Sequence, residues 1–497
     1  MRFAAPPPCF FRSLALVSLA LAFAGALPAR ADEASLQALL ERARTASGAP
    51  YRYHIVSSSR ETVDGRTFDV TTETEGLKYR ARHCYRGTCT GFYFDGERSF
   101  DANFNDTALP LSTQVDALQL TLRAIASYEF TAPDFRQNGG TLTERDPVLR
   151  GGRKLLRVSV APRLGALLEA VIDPATGLVA GVISDERGLA FEFSDQRKVD
   201  GRVTLPYTVS LNGSVIQRFD RRSISDAALS APPGLVPQFS AGPATVTLER
   251  SGGLAPILPC SIGNEHVACL LDSGNSGLSM SAELAGRLGL APQNLGPEFG
   301  AARQVSGLVK APPLQIGGAT YPTAQYVVLR DAHQNGYDVV LGADVFAHAR
   351  ISVDYAKHAL TVSNAYGPPP SGVALTFENY VPVATVRAAG QTLALAVDSG
   401  SNAALEIGYD LFSQHRAEFK PGGAGAGPDA GVATVRIGAF EVPGQFVASS
   451  RAPEPVAQGR LGNSLLDHFT VTYDYADGRL GLATRPGDPF VKIAADR

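Results

Sequence analysis

Leu270-Leu271-Asp272-Ser273-Gly274 recurs as Ala396-Val397-Asp398-Ser399-Gly400, 126 residues further along the chain. In each copy an apolar pair runs into a carboxylate, a hydroxyl and a glycine. One such triplet would be ordinary turn chemistry, because Asp, Ser and Gly all favour turns. The downstream sequence decides the reading. Val340-Leu341-Gly342 follows the first copy and Arg460-Leu461-Gly462 follows the second. Beyond each glycine the two segments align without a gap. His348 falls on His468, Asp354-Tyr355-Ala356 on Asp474-Tyr475-Ala476, and Leu360 on Leu480. Such self-similarity is an internal repeat. The chain is expected to carry two copies of one β-rich lobe, at 243–364 and 373–486, each offering one carboxylate on a tight loop.

The rest of the sequence bounds what those lobes serve. With 497 residues the chain has room for about three domains. It is 44% apolar and 19% charged, a globular composition. The formal net charge is −3 and no Lys/Arg run or basic stripe occurs, which argues against a nucleic-acid partner. Residues 1–31 read as a signal peptide. Arg2 and Arg12 flank its start, an apolar run follows over 14–26, and Ala29-Arg30-Ala31 supplies small residues for cleavage. That run is short for a membrane span. The mature chain is therefore expected to begin at Asp32 and to be exported, periplasmic or secreted, with no stable membrane span. Cys84 and Cys89 bracket Tyr85-Arg86-Gly87-Thr88, and Cys260 and Cys269 bracket a hairpin expected around Asn264-Glu265. Two local disulfides fit an oxidising compartment. Neither pair has the spacing or the histidine partners of a zinc site, so no metal and no cofactor is expected.

Residues 32–229 read as an antiparallel sheet with helices packed on it. Leu36, Leu39, Leu40 and Ala43 give one helix over 34–47, and Val115, Leu118, Leu122 and Ile125 a second over 113–126. Asp64-Gly65, Asp95-Gly96, Asp200-Gly201 and Asn212-Gly213 punctuate alternating strands. With Asp173-Pro174-Ala175-Thr176-Gly177-Leu178 and Leu205-Pro206-Tyr207, this pattern resembles the periplasmic lipoprotein-carrier fold. The resemblance implies a curved half-barrel sheltering acyl chains, hence lipid or lipoprotein as a partner. The plainer reading, a spacer or docking domain, is preferred, since the region shows no nucleophile, metal or phosphate motif. Pro- and Gly-rich stretches at 230–234 and 366–372 read as linkers.

The paired apolar-apolar-Asp-Ser-Gly motifs, each followed by Leu-Gly and a strand hairpin, resemble those of the aspartic peptidases. The lobes look like retropepsin-type lobes set in tandem, as in the bilobal pepsin-like arrangement. The resemblance covers 243–486, about half of the chain. It implies a mainly β architecture: two tandem retropepsin-like β-barrel lobes forming a bilobal unit, preceded by the sheet domain. It also implies an Asp272/Asp398 catalytic pair acting on an extended polypeptide. Two close carboxylates cannot both ionise easily, so they share a proton and one serves as base while the other serves as acid. Ser273 and Ser399 would bond across to the opposite loop, and Gly274 and Gly400 would let backbone approach the carboxylates. Gly342 and Gly462 would let a strand pass beneath each loop. Asn275 and Ser401 come next in each copy, and Asn275 is bulkier than the Ala, Ser or Thr the family prefers. Arg460 stands where an apolar residue is usual. The flaps should lie near 300–307 and 422–431, the second without an aromatic. His348 and His468 read as structural histidines. The alternative to an aspartic endopeptidase is a catalytically inactive periplasmic binding, adaptor or lipid-carrier protein on the same fold.

Overall fold

The computed structural model describes residues 33–494 except 64, 112–116, 294–304, 331–335, 365–371, 423–427, 451–456 and 486. The expected signal segment, most of the second linker and much of both expected flaps lie outside the described residues. The described chain falls into two compact units. One takes residues up to Phe100 together with 113–231, and the other takes 101–112 with everything from Pro232 onward.

Alternating burial and tight Gly turns make the first unit an antiparallel meander. His54–Val63, Arg66–Glu75, Lys78–Tyr85 and Thr88–Phe94 pair in sequence order. A second run extends from Thr141–Arg150 to Ser214–Ser225, and its last strand pairs with His54–Val63. Helix Glu33–Ser47 buries Leu36, Leu39, Leu40 and Ala43 in the same apolar cluster as Val158, Val160 and Ala170 of the sheet. Helix Ala117–Ala126 adds Ile125 to it. Cys84 and Cys89 face each other across Arg86-Gly87, both at positive φ, and are bonded.

The second unit is built on the repeat. In its first half Ile257–Ile262 and Glu265–Leu271 form a hairpin whose turn falls at Gly263-Asn264, one residue earlier than expected. Cys260 and Cys269 are bonded across it. In the second half, Val381–Ala388, Gln391–Val397, Gly459–Leu461, Leu405–Gly408, Phe440–Ser450 and Ala430–Ile437 pair in that order. Ala430–Ile437 then returns to Val381–Ala388 and closes a barrel. The first half was expected to close likewise, but its sheet curls without closing among the described residues. The cause is Pro312-Pro313. One continuous strand serves both neighbours in the second half. Its counterpart is cut by the prolines into Val305–Ala311, which pairs with Ala324–Leu329, and Leu314–Ile316, which pairs with Ile257–Ile262. Proline has no N–H to donate, so the ladder breaks there.

The halves are joined by one sheet. Arg350–Asp354 pairs antiparallel with Phe469–Asp474, placing Ile351 opposite Tyr473, Ser352 opposite Thr472 and Val353 opposite Val471. Ser352 and Thr472 are the same position of the repeat, 120 residues apart, and their hydroxyls hydrogen-bond at 2.7 Å. The pairing is therefore self-equivalent, with a local two-fold through that contact. Nearby, Phe346 packs on Tyr473 and Tyr475, each ring pair 5.1 Å between centroids. The core thus continues from one half into the other.

Candidate active site

Each motif loop is a hydrogen-bonded turn at the end of a buried strand. Leu271 lies beside Leu341, and Val397 beside Leu461, in parallel pairings. The amide of Asp272 donates to the Leu341 carbonyl at 3.0 Å, and that of Asp398 to Leu461 at 2.9 Å. The chain then folds back on each carboxylate: the Gly274 amide donates to Asp272 Oδ1 and the Gly400 amide to Asp398 Oδ1, both at 2.9 Å. Gly342 and Gly462 run close beneath. A Cβ on Gly342 would stand 2.2 Å from the Gly277 carbonyl oxygen, and one on Gly462 2.6 Å from that of Ala403.

The two loops are knitted together by their serines. Ser273 Oγ donates to the Val397 carbonyl at 2.7 Å and accepts from the Ser399 amide at 2.9 Å. Ser399 Oγ donates to the Leu271 carbonyl at 3.0 Å and accepts from the Ser273 amide at 2.9 Å. Both serines are fully buried. This reciprocal set brings the carboxylates together. A Cβ on Gly274 would lie 2.6 Å from Asp398 Cγ, and one on Gly400 2.5 Å from Asp272 Cγ. The Asp272 carboxyl is pushed up to about 7, first by burial, then by the charge of Asp398 and a hydrogen bond to it. Such a carboxyl holds its proton in weak acid.

This geometry, a buried Asp-Ser-Gly turn bonded to its own repeat, can be set beside known proteins. Residues 258–345 match the aspartyl protease family. That stretch takes in Asp272 and the Leu341-Gly342 pair, so an aspartyl protease domain occupies the first half of the repeat unit. No curated protein matches the chain.

The remaining sequence-derived residues serve the loops rather than the carboxylates. Asn275 is buried and its Nδ2 donates to the Gly277 carbonyl at 2.8 Å, within its own loop. Ser401 Oγ accepts from the Ala403 amide at 3.3 Å. His468 pairs with Asp488 at 3.1 Å, while His348 is half-buried and burial lowers its pKa.

Three further residues shape the site. Asn463 is fully buried, and its Nδ2 donates to the carbonyls of Ser399 at 2.6 Å and Ser401 at 2.7 Å. Its Oδ1 accepts from the Tyr355 hydroxyl at 2.7 Å. The sequence held a signal, since Asn463 falls on Ala343 directly after the shared Leu-Gly, and Tyr355 recurs as Tyr475. Asp344 braces the first loop by accepting from the Leu278 amide at 3.0 Å. Its carboxylate also accepts from Asn103 and Asn105, each at 2.8 Å. Burial raises the Asp344 pKa. Nothing in the repeat pointed to these two asparagines. The third residue is Arg460, whose Nη1 lies 3.5 Å from Asp398 Oδ2 and whose Nε lies 3.3 Å from Glu406 Oε2.

Proposed function

We propose that this chain is an exported aspartic endopeptidase in which the two halves of the repeat unit act as tandem retropepsin-like lobes. The observation that carries the reading is the reciprocal bonding of the buried Ser273 and Ser399, which holds the Asp272 and Asp398 turns side by side. The family match over 258–345 supports it. The self-equivalent Ser352/Thr472 seam supports extending it to the second half. Two disulfides support an oxidising compartment. Among the described residues no helix is long and apolar enough to cross a membrane.

The chemistry follows from one shared proton. The charged carboxylate takes a proton from water, and the water oxygen bonds to the peptide carbonyl carbon. The protonated carboxyl gives its proton to the carbonyl oxygen, forming a gem-diol. In the second half-reaction the carboxyl that took the water's proton gives it to the amide nitrogen. Its partner recovers a proton from one diol hydroxyl as the C–N bond breaks. An acid and an amine leave, and the pair returns to its starting state. An extended polypeptide is the expected substrate, because sheet modules bind strand-like chains by backbone hydrogen bonds. Residues 32–229 are read as a docking or spacing domain.

The test is cleavage of unfolded protein or a peptide library across about pH 3–8, a range set by carboxyl pKa values. A statine-type transition-state mimic serves as control. Loss of cleavage in both Asp272→Asn and Asp398→Asn supports the reading. A folded sample that cuts no peptide at any pH favours the inactive-binder alternative.

A further inference from the structure

The two sides of the site differ at one repeat position that reaches a carboxylate. Val340 and Arg460 occupy the same register, each facing the residue two before its aspartate: Val340 opposite Leu270 and Arg460 opposite Ala396. On their other side stand Ser279 and Glu406. In the first half Val340 is buried in an apolar cluster with Ile257, Leu270 and Val327. In the second half the matching cluster shrinks to Val381 and Ala396. The small Ala396 replaces Leu270 and leaves room for a guanidinium stem. A cation–anion pair, Arg460 and Glu406, thus replaces Val340 and Ser279 on one side only.

The placement of the guanidinium is specific. Asp398 Oδ1 is taken by the Gly400 amide. Arg460 Nη1 addresses the other oxygen, Oδ2, at 3.5 Å. Asp272 has the matching amide bond from Gly274 but a valine at the position of the arginine. Positive charge beside one carboxylate of a pair that shares one proton drives that proton to the other.

We propose that Arg460 is a positioning residue that breaks the symmetry of the pair, keeping the shared proton on Asp272 and leaving Asp398 as the carboxylate that activates water. The proposal rests on the aspartic-peptidase reading for its catalytic meaning, though the placing of the proton does not. Burial of the Asp272 carboxyl, which pushes it up to about 7, acts in the same sense. Among the described residues, few groups face the pair. Tyr473 and Tyr475 feel its charge, and burial raises both phenols far above the working range, so they stay neutral. Glu406 faces the pair only through Arg460 and offsets part of its charge. In mechanistic terms, water is deprotonated by Asp398 while Asp272 protonates the substrate carbonyl, and the reverse assignment is disfavoured.

The experiment titrates the pair directly, by carbon-13 carboxyl NMR of aspartate-labelled full-length protein. Asp272→Asn and Asp398→Asn assign the signals. Arg460→Val, which installs the first-half residue, should move the lower step of the pair up by about one pH unit, the low end of the effect of a close opposite charge. Arg460→Lys should restore most of that shift. Glu406→Gln should move the step the other way, since it frees the guanidinium to act on Asp398, and it serves if Arg460→Val fails to fold. With Asp272→Asn in the background, the single remaining step should still respond to Arg460→Val. With Asp398→Asn it should respond less. Where peptide cleavage is measurable, the acid limb of kcat/KM should move with the NMR step. A step that stays within 0.3 unit (about twofold in the equilibrium constant) in both Arg460→Val and Glu406→Gln overturns the proposal, even in an active enzyme. A step that moves in a protein that cuts nothing upholds the role of Arg460 and removes the peptidase reading instead.

Discussion

Ser399→Ala removes one hydroxyl and orphans two backbone groups at once. The Ser273 amide loses its acceptor, and the Leu271 carbonyl loses its donor. Ser399, Ser273 and Leu271 are all at most 1% exposed, so water does not replace what is lost. A buried polar group left unpaired costs roughly 1–3 kcal/mol, so the substitution should weaken the joint between the loops by about 2–6 kcal/mol. The chain holds two compact units, so a global unfolding midpoint mixes events and is a poor readout. Native-state hydrogen exchange read by mass spectrometry isolates the joint. Protection of the peptide containing Ser273 should fall by about 30-fold or more, the factor equivalent to the lower bound of 2 kcal/mol. The effect should appear on the loop opposite the mutated residue. Ser273→Ala orphans a different pair, the Ser399 amide and the Val397 carbonyl, and should give the mirror result. The two bond sets share no atom, yet both depend on the loops staying in register. The double variant should therefore cost less than the two singles together, by roughly 0.5–3 kcal/mol. Unchanged protection across 272–275 in Ser399→Ala, or a loss confined to 398–401, would refute the idea that the serines clamp one loop to the other.

Gly400→Ala should abolish cleavage in a chain that still folds, because its Cβ would sit 2.5 Å from Asp272 Cγ; near-UV circular dichroism and the peptide assay check the two halves of that statement. Cleavage should fall as pH rises through about 7, where Asp272 gives up the proton it must donate, and a rate profile that keeps climbing above pH 8 contradicts this. Stability should follow the same proton. The folded pKa of Asp272 is raised above its unfolded value of about 4, so the folded state binds more protons between the two. The contribution is full below about pH 4 and is lost by about pH 7, and exchange protection of the loop in Asp272→Asn should be flatter over that window. Asn105→Ala leaves the buried Asp344 carboxylate short of a donor and should weaken the local structure by roughly 1–3 kcal/mol, read as lost hydrogen-exchange protection of the peptide containing Leu278, whose amide Asp344 also holds.

The repeat was legible because it is written in residue types with few other uses at that spacing. Asp-Ser-Gly, Leu-Gly and Asp-Tyr-Ala each keep their place in both halves; the first two lie at or beneath the two loops, and the tyrosines of the third reach them, Tyr355 through Asn463 and Tyr475 at the Ser273 carbonyl. The failure to close the first barrel was written in Pro312-Pro313, but proline shows where a ladder ends only once its neighbours are known. Asn103 and Asn105 were illegible for a different reason. They lie more than 200 positions from Asp344 and belong to no periodic pattern, so only the folded chain reveals their partner. Arg460 stood out in the sequence as a departure. What it departs toward, a contact with Asp398, took coordinates to see.

A strand that meets its own repeat residue for residue, as Ser352 meets Thr472, has the contact two identical subunits would make about a dyad axis. Either half carries all that such a seam requires. Two separate identical subunits, however, must hold every feature twice or not at all, so one with an arginine beside its aspartate would force a second arginine beside the other. Covalent linkage lifts that rule. Val340 and Arg460 occupy one address in two neighbourhoods because each has its own codon. The tether therefore supplies more than proximity: it lets a two-fold frame acquire a front and a back, and with them a direction for the proton to travel.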